Sequence, residues 1–315
     1  MIDVLKLTFN LKCLDDIALP RFAPATIRGA FGIRLKRTAC TQMRHGGICK
    51  SCLLKNACIY SYIFENHFQV EGRPLDIAEP PHPYLLMVQL NQKPVIYPKG
   101  SNIQWHLNLF GSRISEILPY IVLTAERMGN AGLGRDRGKF FIDNIIAFQN
   151  NDAIVIYHHV NKNLKMPLPI QRLDINGAHD TAEKIRLRFN TPTRIQHGGN
   201  ILHEISFKDI IVNIFRRYSL LVKYYQKNSP KIEVDQDLLN EASKIQTIES
   251  NFEWKVYARY SARQKRKMVL GGITGELLVA GELGPFIPLL DIGRLINIGK
   301  NTSFGFGNFD YTIEK

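Results

Sequence analysis

The chain opens on an alternation of apolar and polar residues that predicts a β-strand. Within residues 1–12, apolar side chains such as Leu5 and Leu7 are two positions apart and share one face of an extended segment. Residues 24–39 change to helical spacing, with Ile27 on an apolar face. The opposite face carries arginine and lysine, so we predict a helix that packs on one side and offers the other to a polyanion.

The rest of the first half predicts two paired strands and a second helix. Residues 84–90 and 104–109 are strand-like and follow a proline-rich breaker. Residues 114–128 have helical spacing, although Pro119 either interrupts this helix or marks its start. A glycine-rich loop and an aromatic strand follow and close the half near residue 148.

The second half predicts a similar succession of elements. It begins with a strand at residues 184–189 and a long helix that Ser206 is expected to cap. Residues 235–249 are weakly helical, and residues 254–261 alternate as in a strand. The glycines of residues 271–275 predict a turn into another strand, and an apolar helix, a glycine-rich loop and a strand end the chain.

The two halves repeat one order of elements. Residues 5–10 are similar to residues 185–190, and residues 118–134 can be aligned with residues 285–299. Strand, helix, two strands, helix and strand in each half predict a duplicated α+β domain whose antiparallel sheet is backed by helices on one face. We place the first domain at residues 1–150, a linker with a strand at residues 151–184 and the second domain at residues 185–315.

The glycine-rich loop at the end of the chain has the clearest chemistry. Gly299, Gly305 and Gly307 surround Lys300, and the missing Cβ atoms let the backbone approach a partner closely. Successive N–H groups form an anion-binding concavity to which Lys300 adds a charge, so we expect a phosphate there. A glycine-rich hairpin turn uses the same residues and is the alternative.

Composition predicts a basic protein with two cores. The 315 residues suffice for two domains, and 45% of them are hydrophobic. The 41 Lys and Arg against 28 Asp and Glu give a formal charge of +13, which favours polyanionic partners unless the chain is simply basic. Clustering at residues 28–44, 135–139 and 259–267 favours the binding interpretation. No apolar run approaches the roughly 20 residues of a membrane helix, so we expect no membrane span, no signal peptide and a cytoplasmic protein.

Four of the five cysteines predict a metal site. Cys40, Cys49, Cys52 and Cys58 fall within residues 40–64, and disulfides are unusual in a cytoplasmic chain. Converging thiolates are stabilised by a cation, and free thiols are the alternative. Structural zinc usually takes two C-x-x-C pairs, of which one is present, so zinc and an iron–sulfur cluster are both candidates.

Several motifs together resemble a known family. They are FNTPTR at residues 189–194, RYSARQ at residues 259–264 and the closing GKNTSFGFG at residues 299–307. The second half is thereby similar to the CRISPR-associated endoribonucleases that process precursor guide RNA, the sixth Cas family of the RAMP superfamily. The first half resembles them more loosely, through IRGAFG at residues 27–32 and the cysteine segment.

The resemblance implies a fold, a substrate and a reaction. The fold is a pair of tandem ferredoxin-like (RRM-like) βαββαβ domains, with the cysteine-rich metal insert in the first. The substrate is CRISPR repeat RNA, cut without a metal by attack of a ribose 2′-hydroxyl that leaves a 2′,3′-cyclic phosphate. Other Cas proteins of an effector complex are candidate partners, membranes are not, and the expected state is a monomer or weak homodimer.

This reaction needs a base and an acid, for which histidines are the candidates. Family members commonly place a histidine at or just after the first helix, but residues 24–39 contain none. His45, the first one downstream, is a base, a neighbour of the metal site or a solvated loop residue. His197, beside a glycine pair and near Arg194, is the second candidate.

Basic and aromatic residues of both halves are the candidate RNA contacts, because cations neutralise phosphates and a tyrosine can stack on a base. A solvated edge strand that carries lysines against aggregation is the alternative for residues 259–267. The candidates are Arg28, Arg34, Arg37, Arg194, Arg259, Tyr260, Arg263, Lys265, Arg266, Lys267, Lys300, Gly305 and Gly307.

Three functions are therefore compared. The first is an endoribonuclease that matures guide RNA. The second is a non-catalytic RAMP-fold subunit that binds RNA in a CRISPR effector complex, which the missing histidine of the first helix favours. The third is a metal-dependent nucleic-acid protein in which the cysteine cluster is central.

Overall fold

Two units make up the part of the chain that the structure describes. This computed structural model describes residues 1–42, 48–66, 80–149, 152–175, 181–229, 232, 235–261 and 266–314, with the backbone alone at Arg259, Tyr260, Ser261 and Lys267. The first unit comprises Ile2–Gln171 and Tyr224–Lys227, and the second comprises Met1, Arg172–Lys223 and Asn228–Lys315. In these ranges no helix is long and apolar enough to cross a membrane.

The first unit is built on an antiparallel sheet with the strand order β3-β5-β1-β6-β7. Strands β2 and β4 form a separate antiparallel pair. The elements are β1 (Ile2–Cys13), β2 (Ile17–Leu19), α1 (Ala23–Ala39), β3 (Tyr84–Val88), β4 (Val95–Tyr97), β5 (Asn102–Phe110), α2 (Ile114–Ala131), β6 (Phe140–Gln149) and β7 (Asp152–His158), after which β8 (Gln171–Leu173) follows.

The core of the first unit confirms the predicted strands and helices. Leu5 and Leu7 of β1 are at most 1% exposed, as are Ile27 of α1 and Ile121 of α2. The apolar alternation therefore marks the strand side that is covered, and the apolar stripes of the helices complete the core. Pro119 lies inside α2, which continues through it to Ala131 without a break.

The second unit repeats this layout with the strand order β12-β13-β9-β14, again antiparallel. Strands β10 and β11 form a short hairpin. The elements are β9 (Lys184–Thr193), β10 (Gln196–His197), β11 (Asn200–Ile201), α3 (Phe207–Tyr225), α4 (Gln236–Ala242), β12 (Gln246–Ser261), β13 (Arg266–Ala280), α5 (Ile287–Ile296) and β14 (Phe309–Glu314).

The two sheets confirm the duplication. In each unit the first strand of the βαββαβ motif lies between the third and the fourth, and the second strand is outside the third. Strand β1 thus corresponds to β9, helix α1 to α3 and helix α2 to α5. The protein consists of tandem ferredoxin-like α+β units, and β7 extends the first sheet.

Ser206 caps α3 as predicted. Its Oγ accepts a hydrogen bond from the N–H of Asp209 (3.2 Å), while the Asp209 carboxylate accepts one from the N–H of Ser206 (2.9 Å). Reciprocal bonds of this kind satisfy backbone donors at the open end of a helix. A local sequence signal was therefore sufficient to place the start of this helix.

The predicted turn at residues 271–275 is wrong, because these glycines lie inside β13. Gly271 and Gly272 pair with β12, and Gly272 passes so close to the backbone of Thr193 that a Cβ would be 2.7 Å from its carbonyl oxygen. Glycine is thus required by close approach between strands rather than by chain reversal. The helix predicted to reach residue 249 is also shorter, since α4 ends at Ala242 and β12 begins at Gln246.

Candidate nucleic-acid interface

Strands β12 and β13 extend beyond the second sheet as a two-stranded arm. The ladder between β9 and β13 ends at Thr193 and Ile273, whereas β12 and β13 remain paired for seven more positions, down to Ser261 and Arg266. Residues 255–261 and 266–272, which we call the arm, are therefore roughly 20 Å long. The backbone near its tip pairs with no strand of the sheet other than its partner in the arm.

The basic run predicted from the sequence is at the tip of this arm. Arg259 and Tyr260 are near the end of β12, and Arg266 and Lys267 begin β13. The Arg266 side chain is exposed. A two-stranded hairpin buries little apolar surface, so this exposed charge is placed for a partner or for solubility and not for packing. The predicted contacts Arg263 and Lys265 lie outside the described residues.

At the root of the arm, the structure brings together Arg194 and Lys300, which are distant in sequence. The N–H of Lys300 donates to the carbonyl oxygen of Arg194 at 2.8 Å. Gly299 makes this approach feasible, because a Cβ at that position would be 2.5 Å from the same oxygen. Among the described residues, no carboxylate pairs with either cation. The two charges are thus available to an anion.

Other arginines of the second sheet are neutralised by glutamates. Arg186 pairs with Glu314 at 2.5 Å and with Glu249 at 2.9 Å, and these hydrogen bonds raise the pKa of the guanidinium. Arg188 pairs with Glu276 at 2.7 Å and lowers the pKa of that carboxyl. Arg186 and Arg188 thus differ from Arg194 and Lys300, because their charges are engaged within the sheet.

The glycines of the closing loop have a different role from the one expected. The N–H of Gly305 donates to the carbonyl of Thr302 (2.8 Å), and the N–H of Gly307 donates to that of Pro192 (3.0 Å). These two N–H groups are therefore not available to a phosphate, and contact of Gly305 and Gly307 with RNA stays a prediction. Both have positive φ, so they shape the loop that holds Lys300 beside Arg194.

The candidate base His197 lies on the exposed hairpin of β10 and β11, three residues after Arg194. Gly198 and Gly199 form its turn with positive φ, and the N–H of Leu202 closes it on the carbonyl of Ile195 at 3.0 Å. His197 therefore lies at the same end of the sheet as Arg194 and Lys300. The other candidate, His45, lies outside the described residues.

The sequence predicted that Arg28 of α1 lies on a free basic face, but the structure places its side chain in contact with other residues. Its guanidinium lies 4.9 Å from the centre of the Phe64 ring, and Nη2 is 3.1 Å from Nε2 of His82. Because a guanidinium only donates, Nε2 accepts, and Nδ1 is the nitrogen that donates to the carbonyl of Ile63 at 3.1 Å. From the sequence, His82 was placed only in a proline-rich breaker, and no sequence pattern indicated its contact with Arg28.

Arg34 and Arg37 form a second basic cluster in the first unit. Burial lowers the pKa of Arg34, and the positive charges of Arg37 and Arg137 lower it further. Arg137 follows α2, in the basic run of residues 135–139 that the sequence indicated, but it was not among the predicted contacts. Like charges gathered in this way are stabilised by a bound anion.

The four cysteines line one cavity, but not as a closed ligand set. The cavity has a volume of about 460 Å³, and Cys40, Cys49, Cys52 and Cys58 are in its wall. Burial raises the pKa of the Cys49 thiol. Within the part of the chain that the structure describes, no three metal-ligating side chains are arranged to hold one ion. The residues as placed do not fit a metal centre, so zinc or iron–sulfur binding stays a prediction.

Comparison with known proteins assigns both halves of the chain. Residues 2–168 match the family model of the AF_1859 N-terminal domain, and residues 187–309 match the family model of the CRISPR-associated endoribonuclease Cas6. The chain therefore belongs to the family of the AF_1859 N-terminal domain, and its second half is similar to the CRISPR-associated endoribonuclease Cas6 family. The Cas6 match includes Arg194, the arm and Lys300, whereas the cluster at Arg34 and the cysteines fall within the other match.

One relative and several solved structures are similar to this chain over nearly its whole length. An uncharacterized protein of Archaeoglobus fulgidus is 23% identical over 297 residues, or 92% of each chain. The Cas6 (TTHB231) product complex has a TM-score of 0.55 at 11% identity and covers 98% of this chain and 99% of its own. Thermus thermophilus Cas6 (TTHB231) has a TM-score of 0.53 at 10% identity, with 99% of each chain covered. At such identities the structural matches show the fold.

Proposed function

We propose that the protein is an endoribonuclease that binds CRISPR repeat RNA through its second unit and cleaves it. The observation that carries this proposal is the pair of Arg194 and Lys300, held together without a carboxylate partner in the described part of the chain. The pair is at the root of a basic arm, in the segment that matches the Cas6 family. Two cationic residues whose backbones are joined in this way can both contact one stretch of phosphodiester backbone.

The proposed reaction is attack of a ribose 2′-hydroxyl on the neighbouring phosphate. The 2′-oxygen forms a bond to phosphorus, the bond to the 5′-oxygen breaks, and a 2′,3′-cyclic phosphate and a 5′-hydroxyl result. Arg194 and Lys300 would stabilise the negative charge that develops on the phosphate oxygens. His197 and His45 are the candidates that remove the 2′-hydroxyl proton or donate one to the leaving oxygen, which contributes about 10²–10⁴-fold.

A non-catalytic RNA-binding subunit is the second candidate. It is favoured by α1, which contains no histidine and whose Arg28 is engaged with Phe64 and His82. In this case the same cations would hold the RNA without cleavage, and other Cas proteins of an effector complex would be its partners. The two candidates differ in one measurable property, the fate of the bound RNA.

Labelled repeat RNA incubated with the protein in EDTA separates the candidates. We expect wild-type protein to cleave the RNA and leave a cyclic phosphate end. Replacing whichever of His197 and His45 is the base by alanine should slow cleavage at least about a hundredfold and leave the affinity for RNA unchanged. Lys300→Ala should weaken binding, whereas Arg188→Ala is the matched control because its charge is already paired with Glu276. RNA that is retained but uncut would support the binding subunit, and RNA that is neither bound nor cut would exclude both candidates.

A further inference from the structure

Trp254 of β12 lies where the arm leaves the sheet. Its indole lies across Gly271 of β13, where a Cβ would be 2.8 Å from the indole atoms Cζ2 and Nε1. Trp254 is one of the two tryptophans in the chain, and its side chain is half-buried. The glycine that the sequence assigned to a turn therefore makes room for a flat aromatic side chain.

His203 covers this tryptophan from the segment between β11 and α3. The two ring centres are 4.4 Å apart with an angle of 33° between the planes. His203 is exposed even though one of its ring faces is against Trp254, so its exposed area belongs to the other face and the edge. The result is a stack of two aromatic rings that ends in an exposed imidazole.

The stack of His203 on Trp254 is at the same end of the sheet as Arg194 and Lys300. Trp254 is opposite Ile273 in the β12–β13 ladder, Ile273 is opposite Thr193 of β9, and Arg194 follows directly. Arg194 in turn is held beside Lys300. An aromatic surface next to cations that have no carboxylate partner in the described residues combines the two contacts that a single-stranded nucleic acid makes.

We propose that His203, supported by Trp254, is a platform on which an unpaired nucleobase of the RNA stacks while Arg194 and Lys300 hold adjacent phosphates. This inference rests on the proposed RNA binding and adds a site for a base to it. Stacking of a base on an aromatic ring accepts any base, because each has a π-face. The platform would therefore select for an unpaired position in the RNA and not for a sequence.

Tryptophan fluorescence tests the platform directly. Trp105, the other tryptophan, is 3% exposed in β5 of the first unit, so a Trp105→Phe protein reports on Trp254 alone. Titration with single-stranded repeat RNA should change its emission. Replacing the nucleotides one at a time by abasic sites should remove this change at a single position.

Substitution of His203 supplies the second measurement. His203→Ala should weaken binding about fivefold or more with an unchanged melting temperature, and His203→Phe should restore it, because phenylalanine also stacks. His158→Ala removes an exposed histidine of the first unit and is the matched control.

The outcomes distinguish the platform from the function on which it rests. If wild-type protein binds RNA and Arg194→Ala weakens it while His203→Ala and every abasic site are neutral, the platform is excluded and the proposed function stands. If wild-type protein does not bind repeat RNA, both are excluded.

Discussion

Single glycines decide the shape of the loop that holds Lys300. Gly307 has a φ of +75°, and a Cβ there would collide with the carbonyl oxygen of Ile298. Gly198, in the hairpin of His197, also has a positive φ, +54°, but a Cβ there would meet no atom within 4 Å. A side chain at either position would strain the backbone, but only at Gly307 would its Cβ also collide with another atom.

Gly307→Ala should therefore destabilise the second unit by about 2–5 kcal/mol, since backbone strain and a collision add. Gly198→Ala, the matched control, should cost only the strain, about 1–2 kcal/mol. Urea unfolding followed by Trp254 emission in a Trp105→Phe background measures both. Equal losses for the two variants would contradict the close approach at Gly307.

At the scale of elements, the arm carries part of the basic run beyond the edge of the sheet. Its two strands pair only with each other beyond Thr193, so residues near the tip add nothing to the sheet packing. Arg186 and Arg188, in contrast, are on a strand of the sheet and are paired with glutamates. The position of Arg186 and Arg188 in the sheet thus engages their charges within the protein.

Arg266→Ala should reduce the dependence of RNA affinity on salt. If Arg266 contacts one phosphate, the slope of log K against log salt should fall by about 0.7, the value for one contact to a single strand. Arg188→Ala should leave the slope unchanged. Filter binding at several salt concentrations measures both, and an unaltered slope for Arg266→Ala would return that residue to the surface-charge interpretation.

At the scale of the molecule, chain order and unit membership are not the same. Tyr224–Lys227 are assigned to the first unit although the rest of α3 belongs to the second. Tyr225 is 3% exposed, donates to the carbonyl of Pro81 at 2.6 Å and packs edge-on against Tyr62 at 5.3 Å. The first unit is thus completed by residues encoded far along the chain.

Tyr225→Ala should destabilise the first unit by about 3–5 kcal/mol, because it removes a buried ring and its hydrogen bond. Tyr120→Ala, a tyrosine of α2 that is 41% exposed, should change stability by less than about 1 kcal/mol. Urea unfolding followed by Trp105 emission in a Trp254→Phe background reports on this unit. A small loss for Tyr225→Ala would contradict its assignment to the core.

The order of elements could be predicted from the sequence because it depends on local periodicity. Alternation in β1, the helical stripe of α1 and the cap at Ser206 are each set by a few neighbouring residues, and the repeat of these signals indicated the duplication. The glycines of β13 were misread as a turn since their cause is non-local. The ring of Trp254 and the backbone of Thr193 require them.

The sequence by itself determined a duplicated α+β domain, a strongly basic character and the stretches that carry the charge, because periodicity depends on neighbouring residues and net charge depends on composition. Only the tertiary structure decided which charges are available. It pairs Arg186 with glutamates, places Arg28 against Phe64 and His82, and leaves Arg194 beside Lys300. The physical reason is that an ion pair or a stack depends on atoms that strand register brings within a few ångströms, and register joins residues that are far apart in the chain.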